Sequence, residues 1–372
     1  MDSRKHICHL TSVHHALDTR IFYRFCQSLS AEYRVTLIAV HPGDEFRDGI
    51  EIKAFRRFKN KLLRVSITWL IMFVKAMRVN ASLYQLHDPE LIPCGLLLRL
   101  IGKKVILDIH ENVAEDIFDK PWIRNKKLLY AFFQFFEWLA VRSFFLFLAE
   151  WSYEERYRKL GARYEVVLNY VDPDFFMSYR TPVNRRTNRI FYIGILLESR
   201  GLAQIAEALW LLKREGREVH FDVVGELYSA LAGQLQALPF YTEIAEQIHF
   251  YGRMPLEAGY ELSRNAAAGM CIIQPMKNSV GSYPTKMFEY MCIGLPQITS
   301  HFPLYASVVE KHACGICVDP AEPQAIAEAA KYLLDNPEQA EKMRQNGIQA
   351  SGAYIWQSEW EKTRRVYQTL LA

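Results

Sequence analysis

The sequence lacks the markers of several common classes of protein. No Gly-x-Gly-x-x-Gly fingerprint follows the first predicted strand, His6–Leu10, and this absence disfavours a dinucleotide-binding dehydrogenase. The net charge of +4 over 372 residues is too small to indicate nucleic-acid binding by itself. Long-period repeats and low-complexity segments are also missing, and the apolar half of the composition predicts a substantial core rather than disorder.

The cysteines do not suggest a disulfide framework. The seven Cys are scattered and odd in number, and most lie in apolar runs, which predicts free thiols in a reducing cytosol. Cys314 and Cys317 have the spacing of a zinc-binding pair, but no second pair and no His cluster accompanies them, so we predict a buried strand there. The polar start, Met1–Lys5, runs directly into the first strand, so no signal peptide is predicted and the expected location is the cytoplasm.

Two apolar segments are poor candidates for membrane spans. Val65–Val74 is too short to cross a bilayer. Leu128–Ala149 is long enough, but Gln134, Glu137 and Arg142 interrupt it. We therefore predict a buried or interfacial helix in the second segment.

Strand-like and helical patterns alternate along the chain, which predicts α/β architecture with parallel sheets flanked by helices. The length is compatible with two domains. The polar run Arg180–Asn188 is the best linker signal in the chain. We place the first domain at residues 1–175, together with a final helix at 355–372, and the second domain at 186–354.

The stretch Cys271–Ser300 carries the strongest local pattern. A short apolar strand end is followed by a loop rich in Pro, Asn, Ser and Gly, and then by a helix from about Tyr283 to Ile293. Gly294 and Pro296 end this helix. Met287 and Met291 share the helical face that we expect to point to the core.

The opposite face of this helix carries Ser282, Lys286 and Glu289. Free N–H groups and the positive dipole end of a helix suit a phosphate, and Lys286 adds a full positive charge there. One turn further on, Glu289 offers two oxygens at the spacing of a vicinal diol. Phosphate at the helix start and ribose at the carboxylate would together describe a nucleoside diphosphate. Spacing alone leaves the alternative of a solvated Lys–Glu ion pair open.

The run Pro284–Pro296, PTKMFEYMCIGLP, resembles the C-terminal-domain signature of glycosyltransferase family 4, a retaining family with the GT-B fold. The resemblance implies that Glu289 binds the ribose of a sugar nucleotide. Relatives commonly carry a second Glu eight positions earlier, where this chain has Gly281, which could let the backbone approach the donor. The donor-binding candidates are accordingly Gly194, Arg200, Met254, Gly281, Ser282, Thr285, Lys286 and Glu289.

Two further segments of the second domain resemble donor-binding segments of the family. Gly194–Leu202 combines a glycine turn, a basic residue and a helix start, and Arg200 matches the family's residue that grips the diphosphate. Relatives often have a second Arg where this chain has Ile195. Arg253 and Met254 lie where the family holds the nucleobase, largely through backbone groups.

In the first domain, polar clusters follow two apolar strands, at the sheet edge where ligands of parallel α/β proteins bind. His110 matches the family's histidine that contacts the donor sugar and phosphate, and we assign it the catalytic role of orienting the donor. The segment Ser12–Phe22 resembles the first loop of some relatives, with the alternative that Asp18 only caps a helix and Arg20 lies on the surface. The candidates on the acceptor side are His14, Asp18, Arg20, His87, Asp88 and Glu111.

Basic and apolar residues alternate in two stretches of the first domain, 53–79 and 120–148. Such a combination suits an anionic membrane surface, although the apolar residues could instead be core and the charges a solvated rim. We predict peripheral contact with the inner face of the cytoplasmic membrane.

The sequence thus predicts a GT-B protein with two Rossmann-like domains facing across a cleft and a final helix that crosses back to the first domain. The predicted function is retaining transfer of a sugar from a nucleotide sugar, UDP favoured over GDP, to a glycan or lipid-linked acceptor. No cofactor, no metal ion and no nucleic-acid partner is predicted. A sugar-nucleotide 2-epimerase and a non-catalytic nucleotide-sugar-binding protein remain alternatives.

Overall fold

The computed structural model describes residues 4–58, 61–110, 125–180 and 187–372, with the backbone alone at residues 61–66 and 277–278. The chain divides into two compact units. Unit 1 comprises Met1–Asn169 together with Trp356–Ala372, and unit 2 comprises Tyr170–Ile355. Each unit contains its own sheet, and each is described separately below.

Unit 1 is built on an eight-stranded sheet in the order β3-β4-β2-β1-β5-β6-β7-β8. All neighbouring pairs are parallel except β3 and β4 at one edge. The inner strands are continuous apolar runs because helices cover both sheet faces. The strands are β1 His6–His15, β2 Arg34–Val40, β3 Glu45–Arg47, β4 Ile50–Phe55, β5 Leu83–Leu86, β6 Lys104–Ile109, β7 Phe145–Leu148 and β8 Arg163–Val166.

The helices of unit 1 begin with a π-helix, Thr19–Cys26, which Asp18 caps by accepting from the backbone N–H groups of Arg20 and Ile21. This confirms the predicted capping role of Asp18. The α-helices are α1 Gln27–Ser30, α2 Lys61–Val79, α3 Ile92–Leu100, α4 Lys126–Ser143 and α5 Glu154–Lys159. Short 3-10 turns cover Pro89–Leu91 and Trp151–Tyr153.

Unit 2 contains a six-stranded sheet in the order β11-β10-β9-β12-β13-β14, in which every pair is parallel. The strands are β9 Arg189–Ile193, β10 His220–Val224, β11 Ile248–Gly252, β12 Ala268–Cys271, β13 Gln297–Ser300 and β14 Gly315–Val318. The prediction of a strand at Cys314–Cys317 is therefore confirmed.

Helices pack on both faces of this second sheet. They are α6 Pro173–Met177, α7 Leu202–Arg214, α8 Ser229–Gln236, α9 Tyr241–Ile244, α10 Leu256–Ser263, α11 Lys277–Val280, α12 Thr285–Ile293, α13 Pro303–Val309, α14 Pro323–Asp335 and α15 Pro337–Ser351. Short 3-10 turns cover Glu198–Arg200 and Ala245–Gln247. Met287 and Met291 lie in the core beside β9 and β12, as predicted.

The last helix, α16 at Trp356–Leu371, belongs to unit 1 although it follows unit 2 in the chain. Its apolar face, with Trp356, Trp360 and Tyr367, joins the core formed by β1 and β2. The backbone N–H of Leu168 donates to the Glu359 carboxylate at 2.9 Å. The helix thus closes unit 1, in agreement with the predicted return of the chain to its first domain.

Three boundaries differ from the sequence-based prediction. Unit 2 begins at Tyr170, because Val171 forms a bridge with Ile355 and the Tyr170 ring packs on Phe288. Strand β1 extends to His15 rather than Leu10. The apolar segment Leu128–Ala149 is helical only as far as Ser143, where α4 ends, and the strand that the sequence predicts at Phe147–Glu150 is β7 at Phe145–Leu148.

None of the helices that the structure describes is both long and apolar enough to cross a membrane.

Candidate functional site

Helix α12 positions the main donor-binding candidates of unit 2. Pro284 stands at its N-cap in an extended conformation and offers no side-chain acceptor, so the first N–H groups of the helix lack a side-chain cap. Thr285 is the first helical residue, and Gly294 ends the helix in a left-handed conformation with φ of 67°. The uncapped start retains the positive end of the helix dipole.

Lys286 is buried at the start of α12, with 8% of its surface exposed. Its Nζ lies 3.6 Å from the centroid of the Tyr192 ring, in a cation–π contact. Among the residues that the structure describes, no hydrogen-bond acceptor or carboxylate pairs with this ammonium. A buried charge without an anion is costly, so this position is prepared for a negatively charged group.

Gly194 leaves room for this lysine at the end of β9. A Cβ built on Gly194 would lie 3.1 Å from Lys286 Nζ, and the backbone adopts a φ of 137°, which side-chain-bearing residues avoid. The Tyr192 hydroxyl donates to the Ile195 carbonyl at 2.8 Å, which ties the turn after β9 to the ring beneath the ammonium. Glycine at 194 is thus favoured by the backbone conformation, and a side chain there would also displace the Lys286 ammonium.

Arg200 lies close to the same place, at the end of the loop that precedes α7. Both Arg200 and Lys286 lower the pKa of the Cys271 thiol, although burial outweighs them and raises this pKa to about 11. The backbone N–H of Gln274 donates to the Ser199 carbonyl at 2.8 Å, so the loop and the end of β12 are held together. Unit 2 therefore gathers two cations at the carboxyl ends of β9 and β12.

Glu289 lies one helical turn beyond Lys286, partly exposed. The hydroxyl of Tyr260, a fully buried residue of α10, donates to Glu289 Oε2 at 2.5 Å. No sequence pattern indicates this bond, because Tyr260 is 29 residues away and reaches Glu289 only through the packing of α10 beside α12. The alternative of a solvated ion pair between Lys286 and Glu289 is not what the structure shows, because Lys286 lies against the Tyr192 ring and Glu289 accepts from Tyr260.

The other donor-binding candidates lie in the turn before α12 and, for Met254, beside the core to which α12 belongs. Ser282 and Gly281 are half-buried in the turn before α12, and Gly281 has a φ of −98°, which any residue can adopt. Met254 is partly buried just after β11 and packs against the core that contains α12. The assigned roles of these residues stay predictions.

Unit 1 contains a second polar cluster, centred on Asp108 inside β6. Arg20 donates to both Asp108 oxygens, at 2.7 and 2.9 Å, and its other nitrogen reaches the Val167 carbonyl and Asn169. Arg20 is only 5% exposed. The alternative that places Arg20 on the surface is therefore wrong, because the guanidinium compensates a buried carboxylate.

Two histidines flank the same carboxylate. His87 Nδ1 lies 3.0 Å from Asp108 Oδ2, and His110 Nδ1 lies 3.5 Å from that oxygen. On its other side, His110 Nε2 is 3.0 Å from His14 Nε2. His9 extends the chain of rings, with Nδ1 2.9 Å from His87 Nε2.

The histidines of this cluster differ in the direction in which their surroundings shift the pKa. Burial alone would raise the pKa of Asp108, but the Arg20 charge and the bonds from His110 and His87 hold it well below its usual value. Burial opposes protonation of His110, yet the Asp108 contact outweighs burial and raises the His110 pKa. Burial lowers the pKa of both His9 and His87. His110 is thus the most readily protonated of these three rings.

Asp88 and His14 complete the cluster. Asp88 Oδ2 accepts from the Thr11 hydroxyl at 2.8 Å and from the Ser12 backbone N–H at 2.6 Å, while its Oδ1 lies 3.4 Å from His14 Nε2. His14 Nδ1 lies 3.7 Å from Asp18. The structure therefore brings together all acceptor-side candidates except Glu111, which lies outside the described residues.

A metal ion does not suit this cluster. His87, Asp108 and His110 offer three ligand atoms within 4.8 Å of one another. Arg20, however, already donates to both oxygens of Asp108, and a fixed guanidinium repels a cation at the same carboxylate. These three groups are thus a poor set of ligands for a metal ion, because the carboxylate is already paired with a cation.

Sequence reasoning missed Asp108, Tyr192 and Tyr260. For Asp108 a signal was available in the sequence, because it is the one acidic residue in the apolar run Val105–Ile109. A carboxylate buried in such a strand needs a positively charged partner. The two tyrosines look like ordinary core aromatics in the sequence. Their roles become visible only in the three-dimensional contacts with Lys286 and Glu289.

Comparisons with known proteins agree with these features. Residues 178–350 match the model of the family described as "Glycosyl transferases group 1". The chain is 27% identical over 160 residues to D-rhamnosyltransferase WbpZ of Pseudomonas aeruginosa, a match that covers 42% of this chain and 38% of the relative.

The fold of the whole chain is that of GT-B glycosyltransferases. Sucrose-phosphate synthase from Thermosynechococcus elongatus superposes with a TM-score of 0.76 at 13% identity, covering 99% of each chain. HepE of Anabaena, solved in complex with UDP-glucose, superposes with a TM-score of 0.72 at 12% identity, covering 98% of this chain and 100% of that one.

Proposed function

We propose that this chain, whose residues 178–350 match the family model of the glycosyl transferases group 1, transfers a sugar from a nucleotide sugar to a glycan or lipid-linked acceptor. We further propose that it does so with retention of configuration, as in glycosyltransferase family 4. The observation that carries the proposal is Lys286, a buried ammonium at an uncapped helix start with no anion among the described residues beside it. A diphosphate supplies the missing negative charge.

Each part of the donor then has a matching group in unit 2. Lys286, Arg200 and the start of α12 receive the diphosphate, and Glu289 receives the ribose hydroxyls. Ser282, Thr285 and the backbone at Gly281 lie beside the phosphate position, and Met254 lies near the base. UDP is favoured over GDP because HepE, which shares the fold, was solved with UDP-glucose.

In the proposed glycosyl transfer, the protein must stabilise the negative charge that develops on the leaving diphosphate. Lys286, Arg200 and the free N–H groups of α12 are positive groups fixed before the substrate arrives, so they need little reorganisation during the reaction. The leaving phosphate then takes the proton of the acceptor hydroxyl, and no protein nucleophile is invoked. His110, whose pKa the contact with Asp108 raises, has the proposed role of orienting the donor sugar.

Binding of nucleoside diphosphate tests the proposal. In a thermal-shift panel, UDP or GDP should raise the melting temperature of the wild type, because a ligand that binds only the folded state stabilises it by mass action. Glu289→Gln should weaken binding of that nucleotide by about 1.5–3 kcal/mol, because a charge-assisted hydrogen bond is lost. The exposed Glu310→Gln serves as the matched control. Unchanged affinity in Glu289→Gln would remove this residue from the donor site.

The acceptor side of the proposal concerns a surface of unit 1. The exposed apolar residues Ile67, Leu70, Val74 and Met77 share one face of α2, and a second exposed set on one face of α4 comprises Leu128, Phe132, Phe135 and Trp138. Helix α3 packs against both α2 and α4, and its end exposes Leu100 at 82%. We name these residues the apolar helical surface.

Basic residues accompany this surface. Lys126 and Lys127 begin α4, Arg142 lies over the Trp138 ring, and Arg56 and Arg57 are exposed near the start of α2. Lys59, Lys120 and Arg124 lie outside the described residues, as do the side chains of Lys61 and Arg64. Exposed aromatics beside cations suit the interface of an anionic leaflet, so we propose peripheral membrane contact and a lipid-linked acceptor.

Sedimentation with liposomes tests the membrane contact. The protein should pellet with anionic vesicles at low salt and be released at high salt, since each basic residue near the leaflet contributes about 1 kcal/mol that salt screens. Charge reversal at Arg56 and Arg57, or Phe132→Ser with Phe135→Ser, should reduce pelleting. Phe46→Ser, which removes an exposed phenylalanine at the edge of the sheet, should not. Absence of pelleting at every salt concentration would point to a soluble acceptor.

A further inference from the structure

Tyr260 is fully buried on α10, yet its hydroxyl ends at a functional candidate rather than at another core residue. It donates to Glu289 Oε2, and burial together with the Glu289 charge raises the Tyr260 pKa well above its ordinary value. The phenol therefore keeps its proton and remains a donor at neutral pH. Hydrogen bonds of this kind, from a neutral hydroxyl to a carboxylate, are short and strong.

The ring of Tyr260 is held rigidly by its neighbours. Phe176 packs edge-on at 4.9 Å between ring centroids, and Tyr179 and Phe191 lie at 6.0 and 6.2 Å. Helix α10 is itself close to β9, since a Cβ on Gly259 would lie only 2.8 Å from the Ile193 side chain. The hydroxyl is therefore a fixed point from which the carboxylate of Glu289 can be oriented.

Glutamate has several rotatable bonds, and a partly exposed one loses rotamer entropy when it must hold two hydroxyls at once. A donor on one oxygen limits that freedom before the ligand arrives, and such preorganisation lowers the cost of binding. We propose that Tyr260 is a positioning residue that presents the Glu289 carboxylate to the ribose diol of the donor. This inference rests on the proposed function, in which Glu289 binds ribose.

The same contacts would be seen if Tyr260 only stabilised the core. The test therefore needs a measurement that depends on the ribose diol of the nucleotide. Tyr260→Phe keeps the ring and its packing and removes only the hydroxyl. Tyr290→Phe is the matched control, because Tyr290 is also fully buried on the same side of the sheet and its hydroxyl donates to the Met270 carbonyl at 3.4 Å. Calorimetry uses UDP, GDP and their 2′,3′-dideoxy analogues.

We expect Tyr260→Phe to weaken binding of the ribonucleotide roughly five- to tenfold and to leave binding of the dideoxy analogue unchanged, because the variant loses the ordering of the Glu289 carboxylate and not a bond to the ligand. Tyr290→Phe should change both ligands equally or not at all. Combined with Glu289→Gln, Tyr260→Phe should have no further effect, because the two residues then act as one unit.

Two contrary outcomes are distinguishable. In the first, the wild type binds the ribonucleotide more tightly than the dideoxy analogue, and Tyr260→Phe keeps the whole of this difference. Tyr260 then does not position Glu289, and the inference fails while the proposed function stands. If the wild type shows no discrimination, the ribose assignment of Glu289 fails, and the inference fails with it. A thermal-unfolding curve of each variant shows whether the folded fraction explains any loss of affinity.

Discussion

Lys286→Met should cost most of the affinity for the nucleoside diphosphate and almost none of the affinity for the nucleoside. Methionine matches lysine in length but carries no charge, so the variant removes the ammonium that faces the proposed diphosphate. We expect a loss of about 2–3 kcal/mol, roughly 30- to 150-fold in the dissociation constant. Calorimetry with the nucleoside, the monophosphate and the diphosphate measures the difference directly.

The same variant should be at least as stable as the wild type. Lys286 is buried and pairs with no anion among the described residues, so methionine, which has a similar length, breaks no ion pair in the unliganded protein. Lys331→Met, which removes a lysine paired with Glu215 at the surface, is the control and should affect neither quantity. Equal losses for nucleoside and diphosphate would mean that Lys286 does not contact phosphate.

Asp108→Asn should destabilise unit 1 by about 3–5 kcal/mol, because it leaves the buried Arg20 guanidinium without its counter-charge. Asp108 is also the group that raises the pKa of His110. Turnover should therefore fall beyond the loss in folded fraction. Chemical denaturation and activity per folded molecule separate these two effects.

The pH dependence gives this prediction a second readout. A His110 pKa raised above its unfolded value of about 6.5 contributes stability that is present below that pH and is lost as pH rises through the folded-state value. The depressed Asp108 pKa contributes stability above about pH 3.9, so this part stays constant between pH 5 and 8. The difference in the free energy of unfolding between the wild type and Asp108→Asn should therefore become smaller as pH rises from 6 to 8.5. Glu137→Gln breaks the pair between the buried Glu137 and the partly exposed Arg156 of the same unit, and its loss of stability relative to the wild type should not change over this pH range.

The architecture of both units could be predicted because the signals are local. Apolar strand runs such as Val105–Leu107 and the periodic burial of Met287 and Met291 follow from neighbours in the chain. Gly294 and Pro296 likewise marked the end of α12 within one residue. Strand ends with polar clusters indicated where His87, Asp88 and His110 would meet, since the carboxyl ends of parallel strands share one edge.

What the sequence could not predict are contacts between elements far apart in the chain. The bond from Tyr260 to Glu289 depends on how α10 packs, and the position of Lys286 over Tyr192 depends on the turn at Gly194. Surface placement of Arg20 stayed open as an alternative because its counter-ion lies 88 residues away on β6. The long extension of β1 to His15 was hidden by polar residues that looked like a loop.

Product analysis with labelled nucleotide sugars tests the central claim most directly. The wild type would be incubated with UDP- and GDP-sugars in the presence of lipid-linked and soluble saccharide acceptors, and the products would be resolved by NMR and mass spectrometry. The account predicts a new glycoside with the anomeric configuration of the donor, together with one released nucleoside diphosphate per transfer, and Lys286→Met should form it far more slowly. A free nucleotide sugar inverted at C2, or tight donor binding without any glycoside, would contradict it.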